Sequence, residues 1–556
     1  MSAPVAVEVE TAHPLVRHRY LILLLLSVVV YVLWLGNRDL WYPDEPDVAE
    51  VCQAMFTSGD WVAPRYHGEI WIDYPPMLYW AGSASSVLFG GITEFTLRLP
   101  SAIAGVLLVL LTACVTNRWF GPRAGLFAGL VLLASPQFGM QAVAYRPDTL
   151  FSLFVAGGML VYAAGVTENG RWLYRGAGFA MLGLAILTKG PLGLLLPGLA
   201  IVLWHGFRRE WRRILELVPL TVVAVAVALP WFIAVGRAMG FDEMIHDLGQ
   251  QNFRRFHDAF KGHERPFLHY AGTIWFDMLP FVFLLPAAVI GFFRSRRSDR
   301  HLQFALWWFG AFLVFLSFAK TKRGLYLVPA YPAVAVFVGA WLSEQGASAR
   351  AGRIFAAAAQ WALVGIAALL VGIATAPLSF FTGYEIGESM LALVDAARWP
   401  LAIAAIVGLA AAAAVHLARR NGDLTAALLR LGVGYVLLFG TFLAVVYPVF
   451  NPVKTYVPQC AKILEMIGDE PTFGLIHHYG SNKKRGAFAF YTKRPVATPR
   501  TDDELNAFFD AHPDSIVLMH SGLNEEFFRR RKADFDAWTI GEIEAARIVY
   551  RVLRRP

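Results

Sequence analysis

The chain has 556 residues, of which 57% are hydrophobic and only 16% are charged, and its formal net charge is +8. Soluble domains carry about 25% charged residues, so this composition excludes an ordinary soluble protein and indicates a polytopic membrane protein. The positive charge does not indicate nucleic acid, because most arginines lie in short loops between apolar runs. The widely separated Cys52, Cys114 and Cys460 fit neither a zinc site nor a disulfide scaffold.

The apolar runs predict about thirteen transmembrane helices, because a spanning helix needs roughly 20 apolar residues. The first run follows Arg17 and Arg19 without a cleavage site, so we interpret it as an uncleaved signal anchor. The short, Ser/Gly-rich stretch 77–92 is predicted to be a helix in the membrane interface instead. The predicted spans lie near 20–36, 98–117, 123–140, 149–166, 174–188, 191–206, 214–236, 272–293, 302–319, 325–343, 354–379, 400–418 and 426–447.

Arginines are concentrated in every second loop, as in 208–213 and 294–300. Basic loops face the cytoplasm by the positive-inside rule. The N-terminus is then cytoplasmic, and an odd number of spans places the C-terminus outside. Loop 37–97 and the residues after 448 are predicted to face outward.

Charged residues return after 448, and short helical and strand patterns alternate there, which favours a small α/β domain. We therefore predict a transmembrane domain over 1–448, including loop 37–97, and an outward-facing (periplasmic) α/β domain over 449–556. No glycine-rich phosphate motif occurs in that domain, so no nucleotide cofactor is expected. The predicted elements are helices at Val457–Ile467, Asp502–Ala511 and Asn524–Phe535 and strands at Thr472–His477 and Ser515–Met519.

Acids and cations are concentrated on the predicted outer face. Asp44, Glu45 and Asp47 follow the first span, and Asp148 and Lys189 lie in later outer loops. A carboxylate can accept the proton of an attacking group, and a cation can neutralise a phosphate leaving group. Because no nucleotide donor is expected outside the cell, a sugar on a polyprenyl phosphate is the activated donor that fits.

Several motifs, in this order along the chain, resemble those of a known family. They are the Asp44-Glu45 pair, Gly59-Asp60-Trp61-Val62-Ala63-Pro64, Asp73-Tyr74-Pro75-Pro76, Thr188-Lys189-Gly190-Pro191, Arg255-Phe256, His263-x-Arg265-Pro266-Phe267, Lys322 with Tyr326, Pro329, Tyr331 and Pro332, and Ala489-Phe490-Tyr491-Thr492-Lys493-Arg494-Pro495. The chain thereby resembles the lipid-phosphate-sugar-dependent C-type (GT-C) glycosyltransferases of the protein-mannosyltransferase and aminoarabinose-transferase (lipid A glycosyltransferase) superfamily.

The resemblance implies roles for particular residues. Asp44 and Asp148 would be the catalytic carboxylates, with Glu45 a supporting acid. Aminoarabinose transferases usually carry Glu-Lys where this chain has Asp73-Tyr74, which weakens a claim to that sugar. An acid at this position and a loop histidine can hold a divalent metal ion, which would make Asp73 and His263 the ligands. The donor phosphate would be held by Arg255, Lys322, Tyr326, Lys189 and Tyr74.

Simpler interpretations remain open for these residues. Asp44, Glu45 and Asp148 could cap helices, Asp47 could be solvated or a cap, and His263 could be an ordinary loop histidine. The sugar could be 4-amino-4-deoxy-L-arabinose or another pentose or hexose carried by undecaprenyl phosphate. The acceptor could be lipid A, another glycolipid, a polysaccharide or a protein. The main functional alternative is a lipid-linked-sugar flippase or transporter, although such a protein would place its charges near the middle of the bilayer. A non-catalytic scaffold is a third alternative.

Overall fold

We describe the protein from a computed structural model, which covers residues 14–41, 43–167, 171–249, 264–345, 350–377, 388–476, 485–499, 501–520, 531–545 and 548–556. The fold is mainly helical up to residue 467, with one short hairpin near its start. The α-helices of this part are Pro14–Arg17, Arg19–Tyr31, Glu45–Ser58, Met77–Leu88, Glu94–Phe120, Pro122–Leu133, Pro136–Ala142, Pro147–Thr167, Trp172–Lys189, Leu192–Phe207, Trp211–Leu215, Leu217–Met239, Phe241–Gly249, His269–Asp277, Leu285–Gly291, Arg300–Phe318, Tyr331–Gln345, Arg350–Thr375, Glu388–Arg420, Leu424–Thr441, Asn451–Lys454 and Val457–Ile467.

Helices occupy all of the predicted spans, although their ends differ from the prediction. Within the described ranges, eight helices are long and apolar enough to cross a membrane, or up to ten if each of two bent pairs forms one span. Arg19–Tyr31 and Leu192–Phe207 are shorter apolar helices. The multi-pass helical fold is therefore confirmed, and the count of thirteen stays a prediction.

The two bent pairs lie where a single straight span was expected. The predicted span 123–140 consists of Pro122–Leu133 and Pro136–Ala142, which meet at 70°. Ser135 caps the second helix by accepting a hydrogen bond from the N–H of Phe138, and Pro136 occupies its first turn. Cap and proline together start a new helix instead of continuing the old one. The predicted span 272–293 is bent by 117° at a break that contains Pro280.

The described residues form two compact units. The first unit contains Met1–Leu35, Ile72–Leu78 and Arg98–Tyr447. The second contains Gly36–Trp71, Tyr79–Leu97 and Pro448–Pro556. Most of the outer loop 37–97 therefore groups with C-terminal residues, through hydrogen bonds that are described below. The predicted domains 1–448 and 449–556 stay a prediction.

The first unit is a helical bundle with a close contact at its centre. The Pro147–Thr167 helix packs along the Trp172–Lys189 helix, which in turn packs against Leu217–Met239. A Cβ atom on Gly158 would lie 2.7 Å from the carbonyl oxygen of Gly178. The glycines thus let the two helix backbones approach closely, as small residues do in membrane bundles.

The second unit contains a mixed five-stranded sheet. The strands of the protein are β1 Arg65–Tyr66 and β2 Glu69–Ile70, which form a separate hairpin, and the sheet strands β3 Phe473–Ile476, β4 Val496–Ala497, β5 Val517–His520, β6 Thr539–Ala545 and β7 Ile548–Leu553. The sheet strands lie in the order β4-β3-β5-β7-β6. β3 pairs in parallel with β4 and β5, whereas β7 pairs antiparallel with β5 and β6. The predicted α/β character is confirmed, and β3 and β5 match the predicted strands within two residues. The sequence prediction missed β4, β6 and β7.

Helices cover this sheet and enclose its core. Buried side chains from the Val457–Ile467 helix and from β3 and β5 meet around Phe488. The ring of Phe488 packs edge-on against those of Tyr456 and Tyr550. The predicted helices Val457–Ile467 and Asp502–Ala511 are confirmed. Of the third predicted helix, Asn524–Phe535, residues 524–530 lie outside the described residues, and the helix Lys532–Trp538 overlaps its end. The C-terminal helices beyond 467 are Arg485–Thr492, Asp502–Ala511 and Lys532–Trp538.

Candidate functional site

A cavity lies within the first unit, and both polar and apolar side chains line it. Five of the predicted site residues belong to its polar lining. Its apolar lining includes Leu192, Leu196 and Leu248. Such a mixed lining suits an amphiphile. The five predicted residues that line it are Asp73, Tyr74, Asp148, Lys189 and Tyr326.

An ion pair between Asp148 and Lys189 stands in the cavity wall. The Lys189 ammonium donates to Oδ1 of Asp148 at 2.5 Å. The side chains are 7% and 15% exposed, respectively. The ammonium also lies 5.5 Å from the ring centroid of Tyr326 and 5.7 Å from that of Phe151. Because little water reaches the pair, each charge depends on the other for its stabilisation.

Two neighbouring helix ends bring this pair together. Asp148 lies in the first turn of the Pro147–Thr167 helix, where the helix dipole favours a carboxylate. Lys189 is the last residue of the Trp172–Lys189 helix, where the dipole favours a cation. Gly190 then turns the chain with φ 80° and ψ −161°, a backbone conformation essentially restricted to glycine. The motif Thr188-Lys189-Gly190-Pro191 therefore encodes a sharp turn that leaves Lys189 at the cavity.

The remaining polar lining comes from two other segments. Asp73 and Tyr74 belong to the short stretch of the first unit that lies before the Met77–Leu88 helix, and both are half-buried. Tyr326 lies in the 3₁₀ helix Gly324–Ala330. Acid, cation and phenol groups thus surround the same space. The Lys189 ammonium and the phenols can hold an anionic head group by charge and hydrogen bonds.

Lys322 is placed differently from the other predicted phosphate ligands. It is 5% exposed and does not line this cavity. Its ammonium donates to the backbone carbonyls of Ala319, at 2.5 Å, and Arg265, at 3.1 Å. The geometry supports a role in holding two loops, and a phosphate contact by Lys322 has no support from it. Arg255, the remaining predicted phosphate ligand, lies outside the described residues.

The predicted metal pair is only half described. Asp73 lines the cavity, whereas His263 lies outside the described residues. Across the described ranges, no group of three or more His, Cys, Asp and Glu side chains is arranged to hold a metal ion. A divalent metal therefore stays a prediction, and no chemical step below depends on it.

The predicted acids Asp44 and Glu45 lie in the second unit. Asp44 is half-buried at the start of the Glu45–Ser58 helix. Glu45 is 2% exposed, and its carboxylate accepts hydrogen bonds from both terminal nitrogens of Arg38, at 2.6 and 3.2 Å. It also accepts one from the backbone N–H of Trp41, at 3.0 Å. This buried, bidentate pair closes the loop that runs from Arg38 to Glu45. It thereby fixes Asp44, which directly precedes Glu45 in that loop.

Asp47 is more than the solvated or capping acid that we expected. Its Oδ1 atom accepts hydrogen bonds from the Tyr66 hydroxyl, at 3.0 Å, and from the N–H of Gly486, at 3.3 Å. Burial, and then the negative charges of Asp47 and Glu50, raise the pKa of Tyr66 well above its ordinary value. Tyr66 therefore remains a protonated donor to Asp47.

The sequence is similar to proteins of one glycosyltransferase group. Residues 73–233 match the family model described as dolichyl-phosphate-mannose-protein mannosyltransferase. An undecaprenyl phosphate-alpha-4-amino-4-deoxy-L-arabinose arabinosyl transferase from Edwardsiella ictaluri is 29% identical over 395 residues, which is 68% of this chain and 70% of that protein. The protein of the same name from Pseudomonas paraeruginosa is 31% identical over 332 residues, 58% of this chain and 59% of its own.

A solved structure extends the similarity to almost the whole chain. The crystal structure of ArnT from Cupriavidus metallidurans bound to undecaprenyl phosphate has a TM-score of 0.77, with 23% sequence identity, and covers 96% of this chain and 97% of that one. The chain therefore has the fold of this membrane glycosyltransferase, and its sequence resembles those of the superfamily. The fold class and the resemblance predicted from the sequence are thereby confirmed, as is the multi-pass membrane character of the chain.

Proposed function

We propose that this protein moves a sugar from a polyprenyl phosphate, most simply undecaprenyl phosphate, to an acceptor at the periplasmic face of the bacterial inner membrane. The observation that carries the proposal is the Asp148–Lys189 pair in a cavity that has both polar and apolar lining. A polyprenyl-phosphate sugar combines the same two characters, because a charged head group is joined to a hydrocarbon tail.

The proposed reaction is one in-line displacement. An acceptor hydroxyl oxygen attacks the anomeric carbon of the donor, the bond from that carbon to the phosphate oxygen breaks, and the polyprenyl phosphate leaves with the bonding electrons. Asp44 accepts the hydroxyl proton. The second negative charge that develops on the leaving phosphate is stabilised by Lys189 and by the phenols of Tyr326 and Tyr74. A single displacement inverts the anomeric centre.

Asp148 is best supported as the partner that fixes Lys189. Its carboxylate is already within 2.5 Å of the ammonium, which keeps that cation on the cavity wall before the donor binds. Pre-organisation of this kind lowers the cost of ordering a flexible lysine in the transition state. Contact between Asp148 and the sugar or the acceptor is a further part of the proposal.

The sugar that we propose first is 4-amino-4-deoxy-L-arabinose, because similar proteins are named for its transfer. Tyr74 supplies a neutral phenol where an ammonium is usual in the aminoarabinose transferases, so another pentose or hexose is the second candidate. Lipid A, another glycolipid, a polysaccharide and a protein are the acceptor classes. The same similarity supports transfer over the flippase alternative.

One assay separates the two functions. The purified protein in proteoliposomes receives undecaprenyl phosphate carrying radiolabelled 4-amino-4-deoxy-L-arabinose, with a bacterial membrane extract as the acceptor source. We expect label in the extract fraction and release of undecaprenyl phosphate. Movement of the labelled lipid between leaflets without any transfer would contradict the proposal and favour a flippase. A second donor that carries a hexose tests the sugar assignment.

A further inference from the structure

The loop that carries Asp44 is held by residues more than 400 positions later in the chain. Oδ1 of Asn451 accepts hydrogen bonds from the backbone N–H of Asp39, at 3.1 Å, and from the indole N–H of Trp41, at 2.8 Å. The Thr455 hydroxyl donates to Oδ2 of Asp39 at 2.5 Å. A side-chain amide and a hydroxyl from the C-terminal part thus satisfy both backbone and side-chain groups of this loop.

A tyrosine of the Arg485–Thr492 helix holds the same loop at the next residue. The Tyr491 hydroxyl accepts from the N–H of Leu40 at 2.7 Å and donates to Oε1 of Glu94 at 3.3 Å. Tyr491 belongs to the motif Ala489-Phe490-Tyr491-Thr492, whose purpose the proposed reaction leaves unexplained. The phenol is a bridge between two segments, and its position depends on both.

The same helix contacts the Glu45–Ser58 helix from its other end. The N–H of Gly486 donates to Oδ1 of Asp47 at 3.3 Å and to the Tyr66 hydroxyl at 3.1 Å. A Cβ atom on Gly486 would lie 2.6 Å from both Cα and Oδ1 of Asp47 and 2.8 Å from the carbonyl oxygen of Pro46. Backbone atoms cannot yield easily at such distances, so the two helices meet here only because residue 486 lacks a side chain.

These contacts surround Asp44 in the sequence: Asp39, Leu40 and Trp41 lie before it, and Pro46 and Asp47 lie after it. Misplacement of a reacting group by about 1 Å can cost about 100-fold in rate. We propose that the C-terminal α/β part acts as a positioning device for the Asp44 carboxylate, with Asn451, Tyr491 and Gly486 as its positioning residues. The proposal rests on the proposed function, because it assigns to Asp44 the role of proton acceptor.

Three variants of the full-length protein test the device. Gly486→Ala pushes the two helices apart, Asn451→Leu removes the shared acceptor at similar volume, and Tyr491→Phe removes the hydroxyl but keeps the ring. We expect each to lower kcat by about 10- to 100-fold and to leave the KM for the labelled undecaprenyl-phosphate donor unchanged, because the donor cavity lies in the first unit. Asn451→Asp keeps an acceptor oxygen and should retain kcat within about 3-fold.

Gly541→Ala is the matched control, because this glycine lies in β6 of the same part and a Cβ atom there meets nothing within 4 Å. It should leave kcat unchanged. Wild-type kcat in Gly486→Ala and Asn451→Leu would overturn the proposal. A fall in kcat that is accompanied by a matching rise in donor KM and by loss of thermal stability would overturn it as well.

Asp44→Asn is measured in parallel to separate this inference from the proposed function. If Asp44→Asn is inactive while the three variants are fully active, the positioning inference fails and the proposed function survives. If Asp44→Asn is fully active, both fail.

Discussion

The carboxylate of Asp148 and the ammonium of Lys189 form a nearly buried pair in a largely apolar helical bundle. Removal of one partner from such a pair leaves the other charge without compensation and typically costs about 3–5 kcal/mol. We expect Lys189→Met and Asp148→Asn each to lower the unfolding temperature in detergent. The double variant should recover part of the loss, because neither charge is then left alone. The unfolding temperatures of the two single variants and the double variant are measured in detergent, with size-exclusion chromatography used to detect unfolding.

The control for this pair is Lys320→Met, which removes an exposed lysine that lies just after the Arg300–Phe318 helix. It should change the unfolding temperature little, because surface substitutions usually change stability by less than about 0.5 kcal/mol. Equal effects of Lys189→Met and Lys320→Met would contradict the assignment of a buried, mutually dependent pair.

Tyr326 provides a second prediction at the scale of single residues. Its phenol lines the cavity, and its ring faces the Lys189 ammonium. A hydrogen bond to a charged group contributes about 1.5–3 kcal/mol, so Tyr326→Phe should weaken binding of undecaprenyl phosphate by about 10- to 100-fold. Titration of the purified protein with undecaprenyl phosphate checks this. Tyr435→Phe, which alters a tyrosine elsewhere in the same unit, is the control; an unchanged affinity for Tyr326→Phe would remove Tyr326 from the donor site.

The sequence identified much of the cavity but could not rank its members. Asp73, Tyr74, Lys189 and Tyr326 belong to the ordered motifs and Asp148 to a predicted outer loop, and the structure brings all five together. Lys322 shared the same charge argument, yet its ammonium is occupied by backbone carbonyls. Charge and motif order predict which face a residue occupies, whereas the direction of a side chain depends on local backbone turns. Asn451 was missed because its partner Asp39 is 412 positions away and neither residue carries a periodic pattern.

Among the structural elements, the turn after the Trp172–Lys189 helix depends most clearly on a glycine. Gly190 adopts φ 80° and ψ −161° there, and a nonglycine residue held in this region costs about 1–3 kcal/mol. Gly190→Ala should therefore lower stability by about 1–3 kcal/mol and should also weaken donor binding, because the ammonium of Lys189 shifts. Gly198→Ala is the matched change inside the next helix, where a Cβ atom meets nothing within 4 Å. It should leave both unfolding and undecaprenyl phosphate binding unchanged; equal behaviour of the two variants would contradict the argument.

Hydrophobic runs predicted the helices well and the strands poorly, for a physical reason. A long apolar run in a membrane protein has to satisfy its backbone within itself, so a helix follows from composition alone. A strand depends on partners that are distant in sequence. β4 has only two residues, and the antiparallel pair β6 and β7 mixes charged and apolar side chains, so neither gives a strong local pattern. The bends near Ser135 and Pro280 were likewise hidden inside apolar runs.

At the scale of the whole molecule, the prediction to test is orientation. The N-terminus is expected in the cytoplasm and the C-terminal part in the periplasm. Glu542 and Arg420 are both exposed, and they lie in the predicted periplasmic part and a predicted cytoplasmic loop. In a background without Cys52, Cys114 and Cys460, an impermeant maleimide should label Glu542→Cys from the periplasmic side of intact cells and Arg420→Cys only after the inner membrane is opened. The reverse pattern would invert the topology.

The grouping of the first outer loop depends on contacts that are distant in sequence. Residues 36–71 and 79–97 group with 448–556 in one compact unit. Short-range sequence signals place a loop beside its flanking helices and do not show such partners. Here the partners are the C-terminal residues that bind Asp39, Leu40 and Trp41 through hydrogen bonds.

The most direct test of the central claim is the turnover of Asp44→Asn in the proteoliposome transfer assay. The substitution keeps the shape of the side chain and removes its ability to accept a proton. If Asp44 accepts the proton of the acceptor, kcat falls by about 10²- to 10⁴-fold while the affinity for undecaprenyl phosphate stays at the wild-type value. Wild-type turnover by Asp44→Asn would contradict the account.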